Sequence, residues 1–124
     1  MKRSLLLLGS LFAFFGVAFG AFGAHGLKTI LSPEMLAIFE TAVRYQMYHA
    51  FGIIIASFLA DEHPLAVTAG RLFGAGILLF SGSLYVLSLT EIRSFGMITP
   101  LGGFCFLGGW FLLFSAALKI KKEN

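Results

Sequence analysis

Four long apolar stretches take up most of this chain, and the polar segments between them are too short to hold a domain of their own. Each approaches or exceeds the ~20 residues that an α-helix needs to cross a ~30 Å hydrocarbon core. Backbone N–H and C=O groups find no water there, so a spanning chain is helical or forms a closed barrel, and the period-2 alternation of a barrel is absent. The expected fold class is all-α: an integral membrane four-helix bundle with short loops, with residues 1–124 forming one transmembrane domain. Of the 124 residues 58% are hydrophobic, only 12% are charged and fifteen are Phe, more apolar surface than a soluble domain of this size can bury.

The first span is expected over 4–24, behind Lys2 and Arg3. A cleaved signal peptide is the alternative, since a basic start and the small residues Ala21, Gly23 and Ala24 fit one, but the apolar run exceeds the ~7–15 residues of a signal core. Gly9, Ala13, Gly16, Gly20 and Ala24 also lie mostly four apart, the spacing of a face that another helix approaches closely. Ser32 as N-cap, Pro33 at the first helical position and Glu34 at the positive end of the dipole start a second helix. It continues to Ala60, ~42 Å at 1.5 Å per residue, so a span over 39–60 is expected with a surface extension from 33. The third span is expected over 65–89 and the fourth over 99–118, with Pro100 in its first turn and Gly102, Cys105, Gly109 and Ala116 on roughly one face. Leu at Gly20 or Gly109 is expected to force helices apart, with Gly9, nearer the membrane edge, more tolerant. Cys105 is expected to be a buried small residue; with no second cysteine there is no internal disulfide and no CxxC site.

Four spans put both ends of the chain on one side of the membrane. Lys2, Arg3, Arg71, Lys119, Lys121 and Lys122 fall on that side, against Lys28, Arg44 and Arg93 on the other, and the excess places both termini in the cytoplasm. No basic stripe interleaves with aromatics, so nucleic acid is not an expected partner. The expected partners are the lipid bilayer and other membrane proteins or second copies, met through the small-residue faces.

The middle of the second span holds the polar residues that most need a reason to be in a membrane. Arg44, ~24 Å along the helix from Ala60, either anchors at the outer interface beside Tyr45 and Tyr48 or pairs with Glu40 one turn back. His49, ~16 Å from Ala60, lies near mid-membrane and is expected to point into the bundle. Its expected partners are on the third span, where Leu78, Ser81, Gly82 and Tyr85 share a side and Ser83 lies beside them. A neutral imidazole bonded to a serine hydroxyl or a backbone carbonyl stands against a proton relay, a ligand contact or a metal. His25, Arg44, Tyr45, Gln46, His49, Ser81, Ser83, Tyr85 and Thr99 all fall between the midplane and the outer surface, and form a candidate outward-opening polar pocket. His25 and His49 have no carboxylate or cysteine companions, so neither metal nor other cofactor is expected. No catalytic residues are expected, because Asp61 lies on the opposite side from His49, His63 beside it reads as a solvated loop residue, and Gly102-Gly103 and Gly108-Gly109 lack the lysine and strand of a phosphate loop.

Five segments form a recognisable set: Gly20-Ala21-Phe22-Gly23-Ala24-His25-Gly26-Leu27, Thr41-Ala42-Val43-Arg44-Tyr45-Gln46-Met47-Tyr48-His49-Ala50, Phe80-Ser81-Gly82-Ser83-Leu84-Tyr85, Ile98-Thr99-Pro100-Leu101-Gly102-Gly103 and Gly108-Gly109-Trp110. In this order they resemble the small bacterial inner-membrane proteins of the YgdD/YwdK type, over nearly the whole chain. The resemblance implies a four-span protein of the bacterial cytoplasmic membrane and brings no substrate or catalytic residue with it. The expected function is non-enzymatic, a structural or membrane-organising component. The alternative is a small transport or ligand-binding protein that uses the outward polar cluster around His49 and Arg44.

Overall fold

The computed structural model describes residues 1–122; Glu123 and Asn124, the end of the expected domain, lie outside it. Four helices account for the fold: α1, Arg3–His25; α2, Pro33–Leu59; α3, Pro64–Thr90; and α4, Thr99–Lys119. Short 3-10 turns at Leu27–Thr29 and Arg93–Met97 lead into α2 and α4. The Ser32 hydroxyl accepts the Met35 N–H, and Pro33 and Glu34 occupy the first turn of α2. At the start of α3 the His63 ring nitrogen accepts the Leu65 N–H. Glu91 follows α3 in the left-handed conformation, φ 60°, with its N–H bonded to the Leu87 carbonyl.

Three helices are long and apolar enough to cross a membrane: α1, α3, and α4 with its preceding turn. Their outer faces are apolar, with Phe14, Phe104 and Phe111 each about two-thirds exposed. The polar side chains of α2 make it less apolar, although it is 27 residues long. It is also the hub, packing on α1 along one side and on α3 along another. Its buried residues Met35, Phe39, Ala42, Gln46, His49, Ile53 and Ala56 alternate steps of four and three, the seam of a helix with close neighbours.

Glycines set how closely the helices approach. Gly9, Gly16 and Gly23 are buried, seven apart, and face Ile53 and Ile54, Met47, and Phe39 in that order, so α1 and α2 run antiparallel. The contact stripe therefore differs from the one expected. Ala24 points outward, and Gly20 is half-buried, where a Cβ would lie 3.3 Å from the Val43 side chain, which would have to give by a few tenths of an ångström. Gly9 is the less tolerant position, correcting the sequence expectation, because a Cβ there would lie 2.8 Å from Ile54 and 3.0 Å from the Ala50 carbonyl.

Between α3 and α4, Gly109 receives the ring of Phe73, Gly76 that of Phe106, and Gly102 the backbone of Phe80, again antiparallel. At Phe80 α3 widens into a π-turn over Ile77–Ser81, with the Gly82 N–H reaching back to the Ile77 carbonyl. The buried face of α4 is Gly102, Phe106, Gly109, Leu113 and Ala116. Cys105 lies one residue off that face and is half-buried rather than buried. Phe73 sits at the centre of the core, between Gly52 of α2 and Gly109 of α4, with Ile53, Ala56, Ala69 and Ile77 around it.

Candidate functional site

Gln46 and His49, three residues apart on the buried face of α2, meet different helices. Gln46 is almost fully buried and bridges two: its side-chain N–H donates to the Phe12 carbonyl of α1 at 2.8 Å, and its carbonyl oxygen accepts the Tyr85 hydroxyl of α3 at 2.6 Å. The Phe12 carbonyl, an acceptor only, fixes which way the amide points. One turn earlier the Ser81 hydroxyl donates to the Ala42 carbonyl at 2.7 Å, so α3 is also held to the backbone of α2.

His49 lies on α2 opposite α4. Nδ1 is 2.7 Å from the Tyr45 carbonyl, and the Trp110 indole N–H lies 3.0 Å from Nε2. A carbonyl only accepts and an indole N–H only donates, so the ring is the neutral Nδ1–H tautomer, with its Nε2 lone pair taken by Trp110. Phe106 stacks on the imidazole with centroids 3.5 Å apart and planes 8° from parallel, and Phe73 closes another side at 5.5 Å. The carbonyl partner matches one sequence expectation. The side-chain partner does not: it is a tryptophan on α4, where a serine or tyrosine on α3 was expected, because the π-turn region of α3 directs Ser81 and Tyr85 to Ala42 and Gln46.

The other expected pocket residues are spread around the bundle. Ser83 and Thr99 share a 2.6 Å hydrogen bond linking α3 to the first turn of α4, and Ser83 also donates to the Phe80 carbonyl. Tyr45 is partly exposed and packs on Phe80 at 4.7 Å. Arg44 is exposed and lines a separate cleft between α1 and α2 with Glu40. Among the described residues the ion pairs are Met1 with Asp61 and Arg93 with Glu34, so Arg44 and Glu40 do not pair. His25 is exposed at the end of α1. The nine residues thus line no common cavity: Tyr45 and His49 border one groove, Gln46 and Tyr85 another, and Arg44 a third.

A groove of about 620 Å³ lies between α2 and α4, open at the surface and bordered by aromatic rings, among them Tyr45, Tyr48, His49, Phe104, Phe106 and Trp110. Sequence reasoning missed Phe106 and Trp110 as part of the site. Two signals were present: Phe106 falls in the four-and-three series running from Gly102 to Ala116, and an indole N–H at membrane depth needs an acceptor. No three His, Cys, Asp or Glu side chains converge to hold a metal among the described residues. Outside the helices, Arg93 donates twice to Glu34, at 3.1 and 3.4 Å, and this pairing raises its already high pKa. Both side chains are exposed, so the pair fastens the turn before α4 only weakly.

Comparison with known proteins agrees with a membrane setting. Residues 19–103 match the model of the family described as "Protein of unknown function (DUF423)". The UPF0382 membrane protein YwdK of Bacillus subtilis is 47% identical over 120 residues, covering 94% of this chain and 98% of that protein. The UPF0382 membrane protein SH2409 of Staphylococcus haemolyticus is 45% identical over 118 residues, covering 94% and 97%. No solved structure matches the chain. A family model spanning more than half of the chain and relatives aligned almost end to end give one assignment: this is a membrane protein of the DUF423 family.

Proposed function

We propose that the protein is a non-enzymatic, multi-pass component of the bacterial cytoplasmic membrane that organises the bilayer or a larger membrane complex through helix and lipid contacts. The observation that carries this reading is that every buried polar side-chain atom among the described residues has a hydrogen-bond partner within the bundle. Gln46, His49, Ser81 and Ser83 tie helices to one another, and such bonds contribute on the order of 0.6 kcal/mol each in membrane bundles. A transport path through His49 and Arg44 would need polar groups free to exchange partners. His49 has both ring nitrogens engaged, and Arg44 borders a different cleft.

One transmembrane domain over 1–124 with four crossings, near 4–24, 39–60, 65–89 and 99–118, fits this reading. Antiparallel packing of α2 against α1 from Gly9 to Gly23, ~21 Å of helix, supports a crossing by α2 despite its polarity. The excess of Lys and Arg at the start of α1 and the end of α4 supports cytoplasmic termini. The small-residue faces are occupied by helices of the same chain, so we assign contacts with other membrane proteins to the Phe-rich outer faces.

Replacing His49 tests the reading. Gln can both donate and accept, so H49Q should keep the bundle stable and complement a deletion strain, whereas H49L leaves the Trp110 N–H unmet and should lose about 1–3 kcal/mol. A stable H49Q protein that fails to complement would favour a proton relay and overturn the structural role.

A further inference from the structure

We propose that the groove between α2 and α4 binds a lipid-soluble molecule with a flat ring bearing carbonyl oxygens, the chemistry of a membrane quinone. Its inner wall is already a stack. Phe106 lies 8° from the plane of His49 and 22° from that of Tyr45, and Tyr45 lies 14° from His49, so three rings from two helices are nearly parallel. Flat rings prefer such offset-stacked neighbours, whereas a flexible acyl chain gains nothing from ring planes being aligned. The groove volume of about 620 Å³ lies within the ~300–1,000 Å³ range of small-molecule sites.

Gly103 borders the groove, and a Cβ there would meet nothing within 4 Å, so this glycine leaves space that the packing of α4 does not require to be empty. Its neighbour Gly102, by contrast, is pressed against the α3 backbone. From Pro100 to Trp110 the groove follows α4 for ~15 Å, beginning at the helix end, where a ring can enter sideways from the lipid. Tyr45 and Tyr48 stand together on its α2 side, 5.7 Å apart, and neither hydroxyl is bonded to another of the described residues. A phenol donates to a carbonyl oxygen, and a hydrocarbon occupant offers no acceptor. His49 serves as a wall of this site and not as a ligand, because Tyr45 and Trp110 occupy both its nitrogens.

The chain has one tryptophan, Trp110, and it lines the groove, so its fluorescence reports occupancy directly. The full chain in phosphatidylcholine vesicles is titrated with a benzoquinone carrying a decyl side chain. The expected result is saturable quenching above the linear background of membrane partitioning. G103L, at a position where an added Cβ meets nothing within 4 Å, narrows the groove and should leave only the linear background at unchanged thermal stability. The Y45F/Y48F double variant should show saturation at several-fold higher probe concentration. Linear quenching in the parent protein, quenching unchanged in G103L, or unchanged affinity in Y45F/Y48F would overturn the proposal; the last would identify the groove as an acyl-chain cleft.

Discussion

At the scale of single residues, the cost of placing a polar atom in hydrocarbon explains the choices along α2. An unpaired donor or acceptor costs several kcal/mol there, so the buried side chains Gln46 and His49 are at positions where other helices present their complements. His49 shows how far the complement dictates chemistry: with a carbonyl on Nδ1 and an indole N–H on Nε2, one tautomer satisfies both. Nitrogen-15 NMR of ring-labelled protein in lipid should show Nδ1 protonated and Nε2 bare at neutral pH, and W110F should remove the hydrogen-bond signature at Nε2 alone. An Nε2-protonated ring in the parent protein would contradict the assignment. Glu91 is the residue whose backbone is out of keeping with its type, holding the left-handed position after α3 that helices usually give to glycine. E91G should therefore raise thermal stability by up to about 1 kcal/mol, measured by unfolding in a single detergent.

At the scale of helices, small residues decide which surfaces meet. Gly102 and Gly103 are adjacent, yet the first faces the α3 backbone and the second faces open space. G102A should lose about 1–3 kcal/mol because backbone has to move, while G103A should be neutral or gain up to about 1 kcal/mol from helix propensity. Similar stability of the two variants would show that α4 does not press on Phe80. Much at this scale is legible in the sequence: the Ser32-Pro33-Glu34 start of α2 is local chemistry, and glycines at helical spacing advertise a close interface. The stripe Gly9–Gly16–Gly23 was misread as one passing through Gly20 and Ala24, because spacings of four and of seven both trace a helix face and only the partner chooses between them. The pairing of His49 with Trp110, 61 residues away, depends on how α4 sits beside α2, which no local pattern encodes. The π-turn at Ile77–Ser81, which redirects the side chains that follow it, left no mark in a run of Ile, Leu and Phe.

For the whole molecule, the order of polarity is inverted relative to a soluble bundle. Phenylalanine and leucine face outward on α1 and α4, and the least apolar helix, α2, buries Gln46 and His49. By length and hydropathy α2 is not among the helices apolar enough to span, but it packs antiparallel against α1 and α3, with Gln46 bonded inside the bundle. If α2 crosses the membrane, the loops at its two ends lie on opposite sides. Single cysteines at Lys28, Glu62 and Ser94 in a C105A background, labelled from outside intact cells with a membrane-impermeant maleimide, test this directly. Lys28 and Ser94 should label and Glu62 should not until the membrane is opened; Lys28 and Glu62 behaving alike would contradict a crossing by α2 and with it the four-span bundle.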